Sequence, residues 1–299
     1  MKYADRDMIL SRARGAFLGL ALGDALGATT EFMTAAEIRH QYRIHNNIVG
    51  GGWLGIKAGQ VTDDTEMSLA LARAVEKAEG WDLKQIADHF VVWMRSKPID
   101  IGATVRKGIR TYLHKGLLEM PANEWDAGNG AAMRMCPVAL VSFASSERLQ
   151  RYTLEQAHLT HHHPLSDAGC LCIGNMLHAA MAGADRFALH ELTRKLVKQH
   201  PNFRFNNYNG QASGYIVDTL RTVFHFLFTT ADFEECLTGV VNQGGDADTT
   251  GAIAGMIAGA FYGETNLPKR WLKKLDSNTR EDIVQLTPRL LALSPAFNA

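Results

Sequence analysis

Apolar positions recur at helical spacing along almost the whole chain. In residues 7–26, Ile9, Ala13, Ala16, Phe17 and Leu20 share one stripe, rich in Gly and Ala as close packing requires. Thr34-Ala35-Ala36-Glu37 has the form of a capping box for a short helix through about Tyr42. The run SLALARAVEKA predicts the next helix, and Asp82 caps another through Met94. Lys97-Pro98-Ile99-Asp100-Ile101-Gly102 breaks the pattern, which resumes over 103–118. Gly128-Asn129-Gly130 is a glycine turn feeding a further helix, with Arg134 one turn in and able to pair with an acid. Thr153-Leu154-Glu155-Gln156 predicts the capped start of a helix ending at His161-His162-His163-Pro164. Helices follow over 167–182, 185–198, 210–228, 232–242 and 252–262. No stretch alternates as a strand would, and no Pro/Ser-rich linker divides the chain. The pattern predicts an all-α protein, a single multi-helix domain over 1–299.

One interval breaks the helical rhythm. Between residues 44 and 60 lie Gly50, Gly51, Gly52, Gly55 and Gly59, with Trp53 among them, which predicts a long, mobile, functional loop.

Composition narrows the class. With 46% hydrophobic and 21% charged residues, the 299-residue chain can bury a large core. Lys+Arg and Asp+Glu both number 31, so no basic field points to nucleic acid or an anionic membrane. Cys136, Cys170, Cys172 and Cys236 form no CxxC pair, and their apolar neighbours predict buried thiols in a reducing compartment. The opening MKYADRDMILSRARG carries charges through its apolar stretch, unlike a signal peptide. The expected location is the cytoplasm.

The chemistry concentrates where helices begin. Gly244-Gly245-Asp246-Ala247-Asp248-Thr249-Thr250-Gly251 precedes the apolar run 252–262, and Thr62-Asp63-Asp64-Thr65-Glu66 precedes SLALARAVEKA. One Asp or Thr suffices to cap a helix; several, set among glycines, supply hard oxygen ligands of the kind that hold Mg²⁺, Mn²⁺ or Ca²⁺. Adjacent Asp63 and Asp64 splay by about 100° on a helix and cannot easily grip one ion together, but can serve two neighbouring ions. With Glu31 the carboxylates carry about −5 against +4 for two divalent cations, which favours a binuclear site. His158, His161, His162 and His163 have helical spacing for zinc, but no Cys or paired acid completes a set nearby in sequence; the run reads as an exposed helix end. Asp100 alone reads as a cap for the helix after Gly102, and Gly128-Asn129-Gly130 as a turn whose bare N–H groups suit a phosphate.

GDALGATTEF, TDDTEM, GNGAAMR, the Thr160-His161 segment and GGDADTTGAIAG together, in this order, resemble the ADP-ribosylglycohydrolases across nearly the whole chain. The length, the GGGW loop and SKPIDIG look most like the bacterial dinitrogenase reductase-activating members. The resemblance implies an all-helical fold with two Mn²⁺ or Mg²⁺ ions, held by Thr62, Asp63, Asp64, Asp246, Asp248 and Thr249, with Glu31 beside them. It implies hydrolysis of the N-glycosidic bond between ADP-ribose and an arginine side chain, with Asp100 or Glu31 assisting proton transfer. Gly128, Asn129 and Gly130 would meet the phosphates or ribose, and His161 would lie near the adenosine end. Tyr215, read from its glycine-flanked helix start alone, either stacks on the ligand or fills the core. At subfamily level it implies ADP-ribosylated dinitrogenase reductase as substrate, and reversible membrane association through a PII-type signalling protein and an ammonium channel. Two other readings stand beside it: hydrolysis of another ADP-ribose linkage, to serine or an acetyl group, and a non-catalytic ADP-ribose sensor.

Overall fold

The computed structural model describes residues 6–210 and 212–297, and the structural statements below refer to these. The first residues of the signal-peptide comparison, 1–5, and Gln211 within the predicted helix 210–228 lie outside them. The α-helices in chain order are α1 Arg6–Gly27, α2 Ala35–Tyr42, α3 Asp63–Lys77, α4 Leu83–Arg95, α5 Ala103–Lys115, α6 Met135–Val141 and α7 Ser146–His158. They continue with α8 Pro164–Met181, α9 Arg186–Gln199, α10 Ile216–Thr229, α11 Phe233–Val241, α12 Ala247–Tyr262, α13 Lys269–Lys274 and α14 Ser277–Ala292. Pairing between extended segments is limited, among the described residues, to isolated bridges such as Gly128 with Tyr215 and Thr34 with Gly244. The fold is all-helical, as the apolar spacing predicts.

Its axis is the pair α1 and α12. Gly15, Gly19, Gly23 and Gly27 recur every fourth residue on α1 and face Gly259, Gly255, Gly251 and Ala247 on α12. A methyl group on Gly19 would sit 2.2 Å from the Gly255 carbonyl oxygen, and one on Gly23 would sit 2.0 Å from that of Gly251. The two backbones therefore touch, and only hydrogen fits between them. Both helices are buried nearly all round over this stretch. The remaining core packs outward from them, with Phe17, Phe90, Phe203, Phe224, Phe233 and Trp271 almost wholly inaccessible.

Several local expectations are corrected. The helix placed after Thr153 begins at Ser146, capped by Ser145, whose hydroxyl accepts from the Arg148 N–H; Thr153 is a buried mid-helix residue. Helix α10 starts at Ile216 rather than near residue 210, after a loop in which the Ser213 hydroxyl bonds Asp218. Helix α12 starts at Ala247, so Asp248 and Thr249 belong to its first turn. Sequence periodicity missed α13 and α14, the second interrupted in pattern by Pro288. The glycine-rich loop is tied to the body at several points. Gly51 and Ile56 exchange backbone hydrogen bonds of 2.8 and 3.1 Å, Thr29 Oγ1 donates to the Gly50 carbonyl, and Gly52 and Gly59 press on the backbones of Ala28 and Lys274. The thiols of all four cysteines are free and buried, as expected.

Candidate metal centre and ligand cleft

The glycine seam places the end of α1, and the turn to Glu31 beyond it, against the start of α12. Helix α3 is brought to the same point by Asp24, a fully buried residue of α1. Asp24 accepts hydrogen bonds from the Thr62 N–H at 3.0 Å, the Thr62 hydroxyl at 2.9 Å, the Thr65 N–H at 3.1 Å and the Thr65 hydroxyl. It thereby caps α3 from a different helix, while Thr62, the residue at the cap position, makes no capping bond of its own. Asp24 is the important residue that the sequence pattern did not single out. Its only local signal was an Asp inside an otherwise apolar, glycine-rich helix.

With both helix starts fixed, the acidic set converges. Thr62 Oγ1 lies 3.1 Å from Asp64 Oδ2 and 3.4 Å from Asp248 Oδ2, and Thr249 Oγ1 lies 3.3 Å from Asp64 Oδ2. On the other side of Asp248, the carboxylates of Glu31, Asp246 and Asp248 each bring an oxygen within 4.8 Å of the others, close enough to hold a metal ion. Asp63 turns away from Asp64, its Oδ2 accepting from the Gly102 N–H at 3.4 Å. Asp248 is thus common to two groups of oxygens.

Burial and mutual repulsion raise the carboxyl pKa values throughout. Glu31 is pushed to about 8 by burial, then by the charges of Asp100 and Asp246, against a hydrogen bond from Trp53. Asp63 is raised to about 8 by burial and by Asp100 and Asp24. Asp64 and Asp248 are driven well above the usual range by burial and by neighbouring carboxylates, and Asp246 also rises, chiefly from burial. Asp64 Oδ1 is buried with no hydrogen-bond partner. A hard cation fits both facts, because it would satisfy that oxygen and neutralise carboxylates that otherwise repel one another.

A cleft of about 300 Å³ opens over this centre. Asp63, Asp246, Asp248 and Thr249 line it, together with Glu31, Phe32 and Asp100 and with Gly128, Asn129, Gly130, His161 and Gly214. Thr62 and Asp64 lie beneath, wholly buried. Asp100 does not cap α5, whose cap position is Gly102; its Oδ1 accepts from the next N–H, that of Ile101, at 2.7 Å. The Asn129 side chain faces the acids rather than open space, its amide donating to Asp246 and, at 3.0 Å, to Thr219 Oγ1. Its backbone N–H donates to the Gly214 carbonyl, so it is not one of the bare donors expected of the glycine turn. Gly128 and Gly130 leave room for His161: a methyl on either would lie 3.0 or 2.8 Å from its ring. Burial, then the nearby Arg134 charge, lower the His161 pKa to about 3, so the ring is neutral. Arg134 pairs with no acid; it bonds Gly130 O, Gln156 O and Oε1, and Thr160 Oγ1, bracing the wall that carries His161. Tyr215 stands outside the cleft walls, partly exposed at the start of α10.

The histidine run is not one exposed set. His161 faces inward, and His163 caps α8 by accepting from the Leu165 N–H. His158 and His162 stack at 3.7 Å, and an acid does stand beside them: Glu119 Oε1 lies 3.5 and 3.7 Å from their Nδ1 atoms. His162 Nδ1, however, is turned onto the Met120 carbonyl at 2.6 Å, and His158 Nε2 bonds Asp167 at 3.1 Å. Burial opposes the His158 charge, but the Asp167 and Glu119 carboxylates outweigh it and raise its pKa. Glu119, His158 and His162 thus bring ligand atoms within 4.8 Å of one another, while Asp167 and the Met120 carbonyl hold the two rings.

The ADP-ribosylglycohydrolase profile matches residues 5–297. The chain belongs to the ADP-ribosylglycohydrolase family. It is 53% identical over 283 residues to the ADP-ribosyl-[dinitrogen reductase] glycohydrolase of Rhodospirillum rubrum, covering 95% of this chain and 96% of that one. It is 33% identical to the ADP-ribosylarginine hydrolase Tri1 of Serratia proteamaculans, covering 96% of this chain and 80% of the relative. A solved structure described as an ADP-ribosylglycohydrolase-related protein complex superposes with a TM-score of 0.83 at 31% identity, over 96% of this chain and 99% of that one. Among the described residues, no helix is long and apolar enough to cross a membrane.

Because Asp24 acts on Thr62 and Thr65 rather than on a ligand, it is a positioning residue for the acidic centre. Asp24→Asn should weaken divalent-cation affinity and turnover by roughly 10–100-fold, the usual cost of losing an outer hydrogen-bonding partner. Titration of Mn²⁺ by calorimetry checks this; unchanged affinity would mean that the cap serves folding alone.

Proposed function

We propose that the protein hydrolyses the N-glycosidic bond between ADP-ribose and a protein arginine, with ADP-ribosylated dinitrogenase reductase as its substrate. The observation that carries this reading is the convergence of the acidic starts of α3 and α12 on one cleft, in a chain similar over its length to the Rhodospirillum rubrum enzyme. Thr62, Asp63, Asp64, Asp246, Asp248 and Thr249 would hold two divalent cations, Mn²⁺ or Mg²⁺, with Glu31 beside them. Two groups of oxygens sharing Asp248, and an otherwise unpartnered Asp64 Oδ1, support two ions rather than one. When bound, such ions supply electrophilic stabilisation of ribose oxygens and of an attacking water.

The chain's own groups do the rest. Asn129 orients Asp246. Glu31 and Asp100, which both line the cleft and act electrostatically on one another, keep a departing guanidine in its cationic form and assist its proton transfer. Gly128, Gly130 and neutral His161 bring no charge to the lining and admit close approach of the nucleotide end, with Tyr215 exposed nearby at the start of α10. In this reading the enzyme works in the cytoplasm; recruitment to a membrane by a PII-type protein and an ammonium channel rests on the resemblance alone.

The test is release of ADP-ribose from arginine-linked and serine-linked peptides, with Mn²⁺ and with EDTA. Release from arginine only, abolished by EDTA, is the expected result. Release from serine would assign the protein to O-linked substrates, and tight ADP-ribose binding without turnover would make it a sensor.

A further inference from the structure

A second cavity of about 710 Å³ adjoins the cleft, and Glu31 and Phe32 line both. Its walls are Phe32 and Trp53 on one side and Ala36, Glu37, His40 and Tyr42, all from α2, on the other. Three features set it apart from an ordinary surface groove.

The first is its aromatic rim. Phe32 and Trp53 are 63% and 62% exposed, with ring centroids 5.5 Å apart. Exposing two large rings side by side costs hydrophobic free energy unless something covers them. The second is that both rings are held there. Phe32 has a left-handed backbone, φ 60°, fixed by a 2.6 Å bond from its N–H to the Gly245 carbonyl. Trp53 rides the turn closed by the Gly51–Ile56 bonds, and its indole N–H donates to Glu31 Oε2 at 3.1 Å. The third is charge. Glu31 and Glu37 face the groove, and no Lys or Arg lines it.

We infer that this groove receives the polypeptide segment flanking the modified arginine of the substrate protein. The inference rests on the function proposed above and deepens it. The arginine side chain leaves the cleft past Glu31, and the main chain that bears it must lie outside a cavity of about 300 Å³. The groove shares Glu31 and Phe32 with the cleft, whereas Gly128, Gly130 and His161 line the cleft alone. The Glu37 carboxylate attracts a cationic segment, and exposed aromatic faces accept guanidinium or ammonium groups. A rigid aromatic pair also offers contact area with little ordering cost on binding.

Ala36 gives a clean test, because it is exposed on α2 and touches none of the acids in the cleft. Ala36→Arg places a cation and bulk in the groove at a position where arginine suits a helix. For an ADP-ribosylated arginine-bearing protein, KM should rise roughly tenfold, while kcat/KM for free ADP-ribosyl-arginine stays within about twofold. Tyr42→Ala should act in the same direction, and Ala36→Glu should not. Equal effects on the two substrates, or none on the protein substrate, would overturn the inference. So would a change in oligomeric state on Ala36→Arg with both substrates untouched, which would make the groove a contact between copies of the chain. Should wild type cleave neither substrate, the hydrolase reading fails, and the groove is then judged by binding: fluorescence anisotropy of a labelled, unmodified arginine-bearing peptide must weaken on Ala36→Arg, and equal affinity refutes it.

Discussion

Asp246→Asn is expected to lower turnover by roughly 10²–10³-fold while making the cation-free protein more resistant to heat. The two effects have one cause. Asp246 is one of three carboxylates whose oxygens lie within 4.8 Å of one another, and its charge raises the pKa of Glu31, Asp63, Asp64 and Asp248. On the proposed reading, removing it would take a ligand from the cations and, in their absence, relieve the repulsion. A pH dependence follows. A carboxyl group with a raised folded pKa binds its proton more tightly in the folded state. That contribution is complete below the ordinary values of 3.8 and 4.5, and is lost as pH rises through the folded values, about 8 for Glu31 and Asp63. In EDTA, the melting temperature should therefore fall between pH 4 and 8, and Mn²⁺ should restore it most at the upper end. Differential scanning calorimetry of wild type and Asp246→Asn, each with EDTA and with Mn²⁺, reads all of this. A variant that melts lower than wild type in EDTA would show that Asp246 is a structural acid rather than part of a cation site.

Gly23→Ala should be among the most damaging single methyl additions to the fold. The added carbon would meet the carbonyl oxygen of Gly251 at 2.0 Å and its carbonyl carbon at 2.4 Å, both backbone atoms. No side-chain rotation relieves such a contact, so α1 and α12 must separate, at a cost of about 3 kcal/mol or more. The acids at the ends of these helices would separate with them, so activity should fall along with stability. Urea denaturation and the arginine-linkage assay check the pair of effects. Gly116→Ala is the control: its φ of 68° also favours glycine, but nothing lies within 4 Å of the added carbon, and the cost should stay near 1 kcal/mol.

How much of this was legible beforehand differs by element. The start of helix α4 is legible at Asp82 because a cap and a strong apolar stripe coincide, and the capping box at Thr34 and Glu37 is present as the sequence predicts. The start of helix α7 is not, because Thr153-Leu154-Glu155-Gln156 has the form of a cap whereas Ser145 supplies the real one upstream. The acid-rich starts of α3 and α12 were visible as clusters, but no periodicity shows that Asp24 would join α3 to α1. That bond is tertiary, and its two ends are far apart in the chain. The roles of Asn129 and Arg134 were hidden for the same reason. An amide and a guanidinium near a glycine turn look like ligand groups until their partners, Asp246 and Gln156, are known.

The seam between α1 and α12 also governs the order in which the molecule can come together. Helix α1 ends at Gly27 and α12 begins at Ala247, so their contact closes a loop that contains most of the chain. Such a closure is entropically late and makes folding slow, since little rewards it until the intervening helices have condensed. During synthesis, Glu31, Asp63 and Asp64 emerge long before Asp246 and Asp248. A nascent or half-folded chain therefore holds only part of the acidic set, and on the proposed reading cation capture would signal that α1 and α12 have paired.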